Sequence, residues 1–187
     1  ERSCPEMPEK DGPDPVKQET HVRMLSALVQ TREQLNAAVQ EEDVRRIYVE
    51  SHLAADLFSS NSGRGEIRAL FETRKAEWYL VFPHIFRERA ERLYDRIWED
   101  LEAFPWDGAL VRNLESLSYL QKKVWKNKVQ ADHHLYTLNK KAGEFLKNAG
   151  INGTTVSLEL NSQEIRETVS GGEEMVVYGY APMMISA

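Results

Sequence analysis

Cysteine is nearly missing from this sequence: Cys4 is the single thiol in 187 residues. One thiol can neither close a disulfide nor supply a multi-cysteine metal site within the chain, and a reducing, cytoplasmic setting follows as the expectation. No apolar run approaches the roughly 20 residues that a membrane-spanning helix needs, so no membrane partner is expected. Excess positive charge is missing too. Lys and Arg number 24 against 30 Asp and Glu, a formal net charge of −6 that argues against bulk attraction to nucleic acid. No Gly-rich nucleotide loop, no HExxH and no paired-cysteine zinc spacing is present. The start, Glu1-Arg2-Ser3-Cys4-Pro5, has no apolar stretch that would read as a signal peptide. What remains is ordinary globular composition, 41% hydrophobic and 29% charged, in a length that suits one domain with a real core.

Proline is concentrated rather than scarce. Residues 1–21 hold four of the seven prolines (Pro5, Pro8, Pro13, Pro15) and read as a linker or disordered arm. Residues 22–187 form the expected folded domain. With no initiator Met and an apolar end at 181–187, both termini read as cut, so the chain is expected to be a piece of a longer protein.

Across 22–187, runs of Val, Ile, Leu and aromatics alternate with amphipathic stretches. Strands are expected at 24–30, 45–50, 78–82, 108–112, 128–133, 154–159 and 174–178. Thr31 with Gln34 forms a capping box for the first helix, whose buried stripe is Leu35, Ala38 and Val39. Ser59 to Gly63 reads as a polar loop before a helix at about 65–75. The helix over 86–102 carries Phe86, Ala90, Leu93, Ile97 and Leu101 on one face, with paired charges on the rest. Further helices are expected at 115–122 and 138–148, the latter stopped by Gly150, and a short one opens at Asn161. Strict βα alternation predicts an α/β fold: tandem βα units with a parallel sheet, curled into a barrel-like or incomplete TIM-type barrel. An open doubly wound sheet is the alternative.

Side chains alternate along a strand, which sorts them by face. Ile47 and Val49 share one face of strand two, Tyr48 and Glu50 the other; Val129 and Ala131 oppose Gln130, Asp132 and His134 in strand five. Pointing the apolar sets at outer helices gathers Glu50, Arg112, Asp132, His134, Glu159 and Tyr178 near the C-terminal strand ends, where parallel α/β folds bind ligands. These six are the substrate-binding candidates. The competing reading is structural, with Arg112 neutralising Asp132 or Glu159. No metal is expected, because His133 and His134 would point to opposite faces and Asp132 with His134 offers only two ligands. His84 reads as a loop residue after Pro83. Ser62-Gly63-Arg64-Gly65 reads as a flexible loop before a phosphate site. Ser157 is the one central nucleophile candidate, and no neighbouring base marks it out.

Several segments resemble peptidase family U32, the collagenase-like peptidases. They are Leu28-Val29-Gln30-Thr31 with Gln34-Leu35, then 107–113, then Ala131-Asp132 through Asn139, then Ser157-Leu158-Glu159-Leu160-Asn161, and last Met175-Val176-Val177-Tyr178-Gly179-Tyr180-Ala181-Pro182-Met183-Met184-Ile185-Ser186. The similarity spans about 22–187 and looks most like the C-terminal barrel-like part of long, multi-domain members. It implies a (β/α)-barrel-type fold and a cytoplasmic bacterial protein. The family is labelled as peptidases of unknown catalytic type; some members are implicated in prephenate-dependent hydroxylation of RNA pyrimidines, with cysteines holding an iron–sulfur cluster. The family signature runs approximately E-x-F-x-H-G-x-x-C, then S-G-x-C. Glu174, Gly179 and Ser186 fall in register, but Tyr178 stands at the His and Pro182 at the first Cys. The cluster ligands are therefore absent here, no cofactor is expected in this chain, and no catalytic residue is carried over. The expected role is a domain that contributes a substrate mouth, inactive alone, with the parent's other domains as partners and protein or RNA as substrate. A non-catalytic scaffold is the rival. An unclosed barrel would also leave a sheet edge through which two copies could pair.

Overall fold

A computed structural model describes residues 24–169 and 171–180. The Pro-rich arm with Cys4, and the end of the chain with Pro182 and Ser186, lie outside the described residues.

Six strands form one sheet in chain order: β1 (Leu25–Val29), β2 (Val44–Val49), β3 (Glu77–Val81), β4 (Gly108–Val111), β5 (Lys128–Ala131) and β6 (Gly153–Thr154). Every neighbouring pair is parallel. A doubly wound sheet reverses its strand order part-way. This one never does, so its helices stack on one face and the sheet curls into part of a barrel.

The helices are α1 (Arg32–Gln40), α2 (Ser51–Phe58), α3 (Asn61–Glu72), α4 (Glu88–Glu102), α5 (Leu114–Lys122), α6 (Lys140–Asn148) and α7 (Ser162–Thr168). The predicted Thr31–Gln34 capping box starts α1. Gly150, with φ of 96°, follows α6 in the left-handed region that glycine enters freely.

Two apolar layers flank the sheet. Outside, Ile47, Val49, Trp78, Leu80, Val111, Val129 and Ala131 pack against helix residues such as Leu57, Ile67, Leu101 and Leu120. Phe104 anchors this layer edge-on to Phe58 and Phe71, with ring centroids 5.5 and 4.8 Å away. Each such pair adds about 0.5–1.5 kcal/mol beyond its area. Inside, Tyr48, Tyr79, Val81 and Leu110 form a smaller cluster. Gly108 exists because of it: a Cβ there would sit 2.3 Å from the Tyr79 ring.

Several elements differ from the sequence expectation. Helix α2 begins directly after Glu50, where no helix was expected, and α3 starts within the expected loop, with Ser60 as its cap. Strand five stops at Ala131, and His133–Leu135 is a 3-10 turn. Strand six is cut to two residues, and Leu158 and Glu159 then turn the chain away. The expected seventh strand reduces to one parallel bridge, Glu174 to Thr155.

Candidate functional site

Glu50, Arg112 and Asp132 each stand one residue beyond a strand, on β2, β4 and β5. Period-two alternation turns them to the inner face, and parallel register brings the three ends together. Their side chains are 7%, 3% and 8% exposed, which makes their pairing obligatory. Arg112 donates Nη1 to Glu50 Oε1 and Nη2 to Glu50 Oε2, both at 2.8 Å, and Nε to Asp132 Oδ2 at 2.7 Å. Nη1 also approaches the Phe82 carbonyl at 3.5 Å. A guanidinium has five N–H groups, so this one is nearly spent within the protein. Two carboxylates against one cation leave the rim one unit negative.

Local structure fixes each member. The Glu50 carboxylate caps α2, accepting from the Ser51 N–H at 3.0 Å. Asp132 Oδ1 accepts from the His133 N–H at 2.7 Å and so starts the 3-10 turn. Asn113, next to Arg112, caps α5 and donates to the carbonyls of Pro83 and His84, both at 3.0 Å, which holds the β3–α4 connection over the rim.

Charge follows these contacts. Burial opposes ionisation of Glu50, but the Arg112 hydrogen bonds and charge outweigh it and hold the carboxyl below its ordinary range. Asp132 is held far lower still: burial again opposes, and contacts from His133 and His134 together with the Arg112 charge prevail.

Three imidazoles border this triad. His134 Nδ1 lies 3.3 Å from Asp132 Oδ2, and its ring is 4.4 Å from that of His84 and 4.0 Å from that of His133. His133 Nδ1 is 2.6 Å from Asp132 Oδ1 but out of line for a hydrogen bond. His84 Nδ1 is buried without a partner. Burial, then the nearby Arg112 charge, pushes His84 down to about 4.

Of the six sequence candidates, Glu50, Arg112, Asp132 and His134 come together. Glu159 does not: it is exposed, and its carboxylate pairs with nothing among the described residues, because the chain has already turned away from the sheet. Tyr178 is 89% exposed and belongs to no strand. Arg112 pairs with Asp132, as the structural reading has it, and with Glu50 in place of Glu159. Ser157 is buried and its Oγ meets only the Glu159 N–H, at 3.4 Å, so no base activates it among the described residues. Sequence reasoning missed His84 and the convergence of His133 with His134. The Asp-His-His run after a strand, where Asp can cap a turn, was the available signal.

A second polar cluster lies lower on the inner face. Glu174 accepts from Ser26 (2.9 Å), Arg46 (2.8 Å) and Tyr48 (2.6 Å), while Arg46 also grips Glu77 at 2.6 Å. Residue 174, seated beside β6, thus reaches back to β1 and β2 and ties the curl of the sheet across its open side.

A singly wound parallel half-barrel, charged at the C-terminal strand ends, defines a domain of the (β/α)-barrel class. Within that class the chain belongs to peptidase family U32, whose family model matches residues 30–187. Its fold is similar to that of the U32 peptidase Mk0906, with a TM-score of 0.58 and 18% identity over 92% of this chain and 71% of that one. No curated protein sequence matches it. No helix among the described residues is long and apolar enough to cross a membrane.

Proposed function

We propose that this U32 domain supplies a substrate-binding mouth to a larger cytoplasmic protein and does not cleave substrate by itself. The carrying observation is the rim: a net negative, rigidly paired Glu50–Arg112–Asp132 triad bordered by His84 and His134. Such a mouth favours donor groups and cationic segments over phosphates, and the whole chain carries −6, so protein is the better substrate than RNA. The candidate contacts are His134 and the outer lone pairs of Glu50 and Asp132. Other domains of the parent chain would complete the site and bring any iron–sulfur chemistry.

Fluorescence anisotropy with labelled gelatin peptides tests this on the chain itself. Saturable binding, weakened at least about tenfold by His134→Ala and unaccompanied by cleavage, is the expected result. Absence of binding, or cleavage that a single substitution abolishes, overturns the reading.

A scaffold or docking role is the second reading. It draws on one observation, that Arg112 spends its N–H groups inside the protein. Gelatin binding left intact by His134→Ala would favour it.

A further inference from the structure

We propose that Asp132, His133 and His134 form a binding site for one zinc-class divalent ion. This goes beyond the substrate-mouth reading and does not depend on it. One ligand atom from each of the three side chains lies within 4.8 Å of the other two. The 3-10 turn produces this cluster. Along a strand, adjacent histidines would diverge; here the chain turns at Asp132, with the Leu135 N–H bonded to the Asp132 carbonyl at 3.0 Å and Tyr136 at φ of 48°, and both rings fold back over the carboxylate.

The donor chemistry fits. Two imidazole nitrogens and a carboxylate suit zinc and its neighbours better than magnesium or calcium, which prefer oxygen. Ligand bonds of about 2.0–2.2 Å at tetrahedral angles separate donor atoms by roughly 3.3–3.5 Å. His134 Nδ1 already stands 3.3 Å from Asp132 Oδ2, while His133 Nδ1 lies 2.6 Å from the other oxygen, Oδ1, so this second pair needs a small opening for one ion to reach both rings and the carboxylate. His133 Nδ1 is buried, faces Asp132 Oδ1 and has no hydrogen-bond partner, so its lone pair is open to an ion once that pair separates. The unpartnered Nδ1 of His84 lies on the ring stacked edge-on to His134, beside the same cluster.

Charge permits it as well. The triad's net negative charge offsets half of a dication, and Arg112 on Asp132 Oδ2 plays the part of an outer partner that orients a ligating carboxylate. Three protein ligands leave one tetrahedral position open, the pattern of sites that bind water or substrate rather than of closed structural ones.

The test is isothermal titration calorimetry of metal-free chain with zinc ion alone, in a Cys4→Ser background that removes the competing thiol. Cobalt uptake, followed by its visible absorption, reports the donor set. One saturable site per chain is expected. His133→Ala and His134→Ala should each weaken it at least about tenfold, and His52→Ala, which removes a ring bonded to the Gln30 carbonyl, should leave it unchanged. Both target histidines are partly exposed, so the variants should fold, as circular dichroism will show. If either fails to fold, NMR of the unsubstituted chain decides: zinc must shift the ring nitrogens of His133 and His134. No saturable site, unmoved His133 and His134 resonances, or binding retained in the double variant overturns the proposal. A protonated His133 merely paired with Asp132 would give the first of these.

Discussion

Glu50 and Arg112 are 62 positions apart in sequence and meet through two parallel hydrogen bonds of 2.8 Å, in a site almost closed to water. The fork fixes the relative position of two strand ends that share no ladder, since β3 lies between β2 and β4. Removing the cation leaves two buried carboxylates facing each other, a loss of about 3–5 kcal/mol by the usual cost of an orphaned buried charge. Arg112→Ala should therefore lower the urea midpoint sharply. Arg112→Lys should recover only part of it, because an ammonium cannot form the planar fork.

Acid should weaken the same link. The folded Glu50 carboxyl titrates below its unfolded counterpart, near pH 4.3. Its contribution is thus complete above about pH 4.3 and is lost as pH falls through the lower, folded value. Urea midpoints from about pH 7 to pH 3 should show the parent chain's advantage over Glu50→Gln shrinking below about pH 4. A constant gap would contradict the assignment.

Two glycines of α3 should respond oppositely to alanine. At Gly63 a new Cβ would lie 2.3 Å from the Leu57 carbonyl oxygen, a backbone atom of α2 that cannot step aside. Around Gly65 nothing stands within 4 Å. Gly65→Ala should stabilise by about 0.5–1 kcal/mol through helix propensity. Gly63→Ala should cost about 1–3 kcal/mol, since steric displacement of packed backbone exceeds that gain. Thermal melts of the two variants check the sign of each.

Glu174→Ala should release the far end of the chain more than it unfolds the centre. The substitution deletes contacts to Ser26, Arg46 and Tyr48 and leaves the half-buried Arg46 paired only with Glu77 among the carboxylates of the described residues. Brief proteolysis should then cut within 160–180 several times faster, while strands β2 to β4 keep their hydrogen-exchange protection.

The inner and outer faces of the sheet were legible in the sequence because a strand's alternation is strict: Ile47 and Val49 go to the helices, Tyr48 and Glu50 to the interior. Helix α2 was not, although Leu53, Ala54, Leu57 and Phe58 carry helical spacing, because Glu50 serves at once as strand neighbour, helix cap and rim residue, with no loop to mark the boundary. Glu159 and Tyr178 were misplaced for a related reason. Apolar alternation at 154–159 and 174–178 promised strands, but pairing partners end with the two residues of β6 and the single bridge at Glu174. Edge segments lack a neighbour to enforce extension. The histidines converged only because Asp132 capped a turn, a choice that residue periodicity does not encode.

Ser26 and Glu174 touch across 148 positions of chain. During synthesis, then, the sheet can assemble strand by strand as it leaves the ribosome, but its curvature cannot be locked until almost the entire domain has been made. Until that moment the first strand waits with its inner side chains uncommitted, which makes late translation the interval in which a chaperone or a sister chain has the best opportunity to intervene.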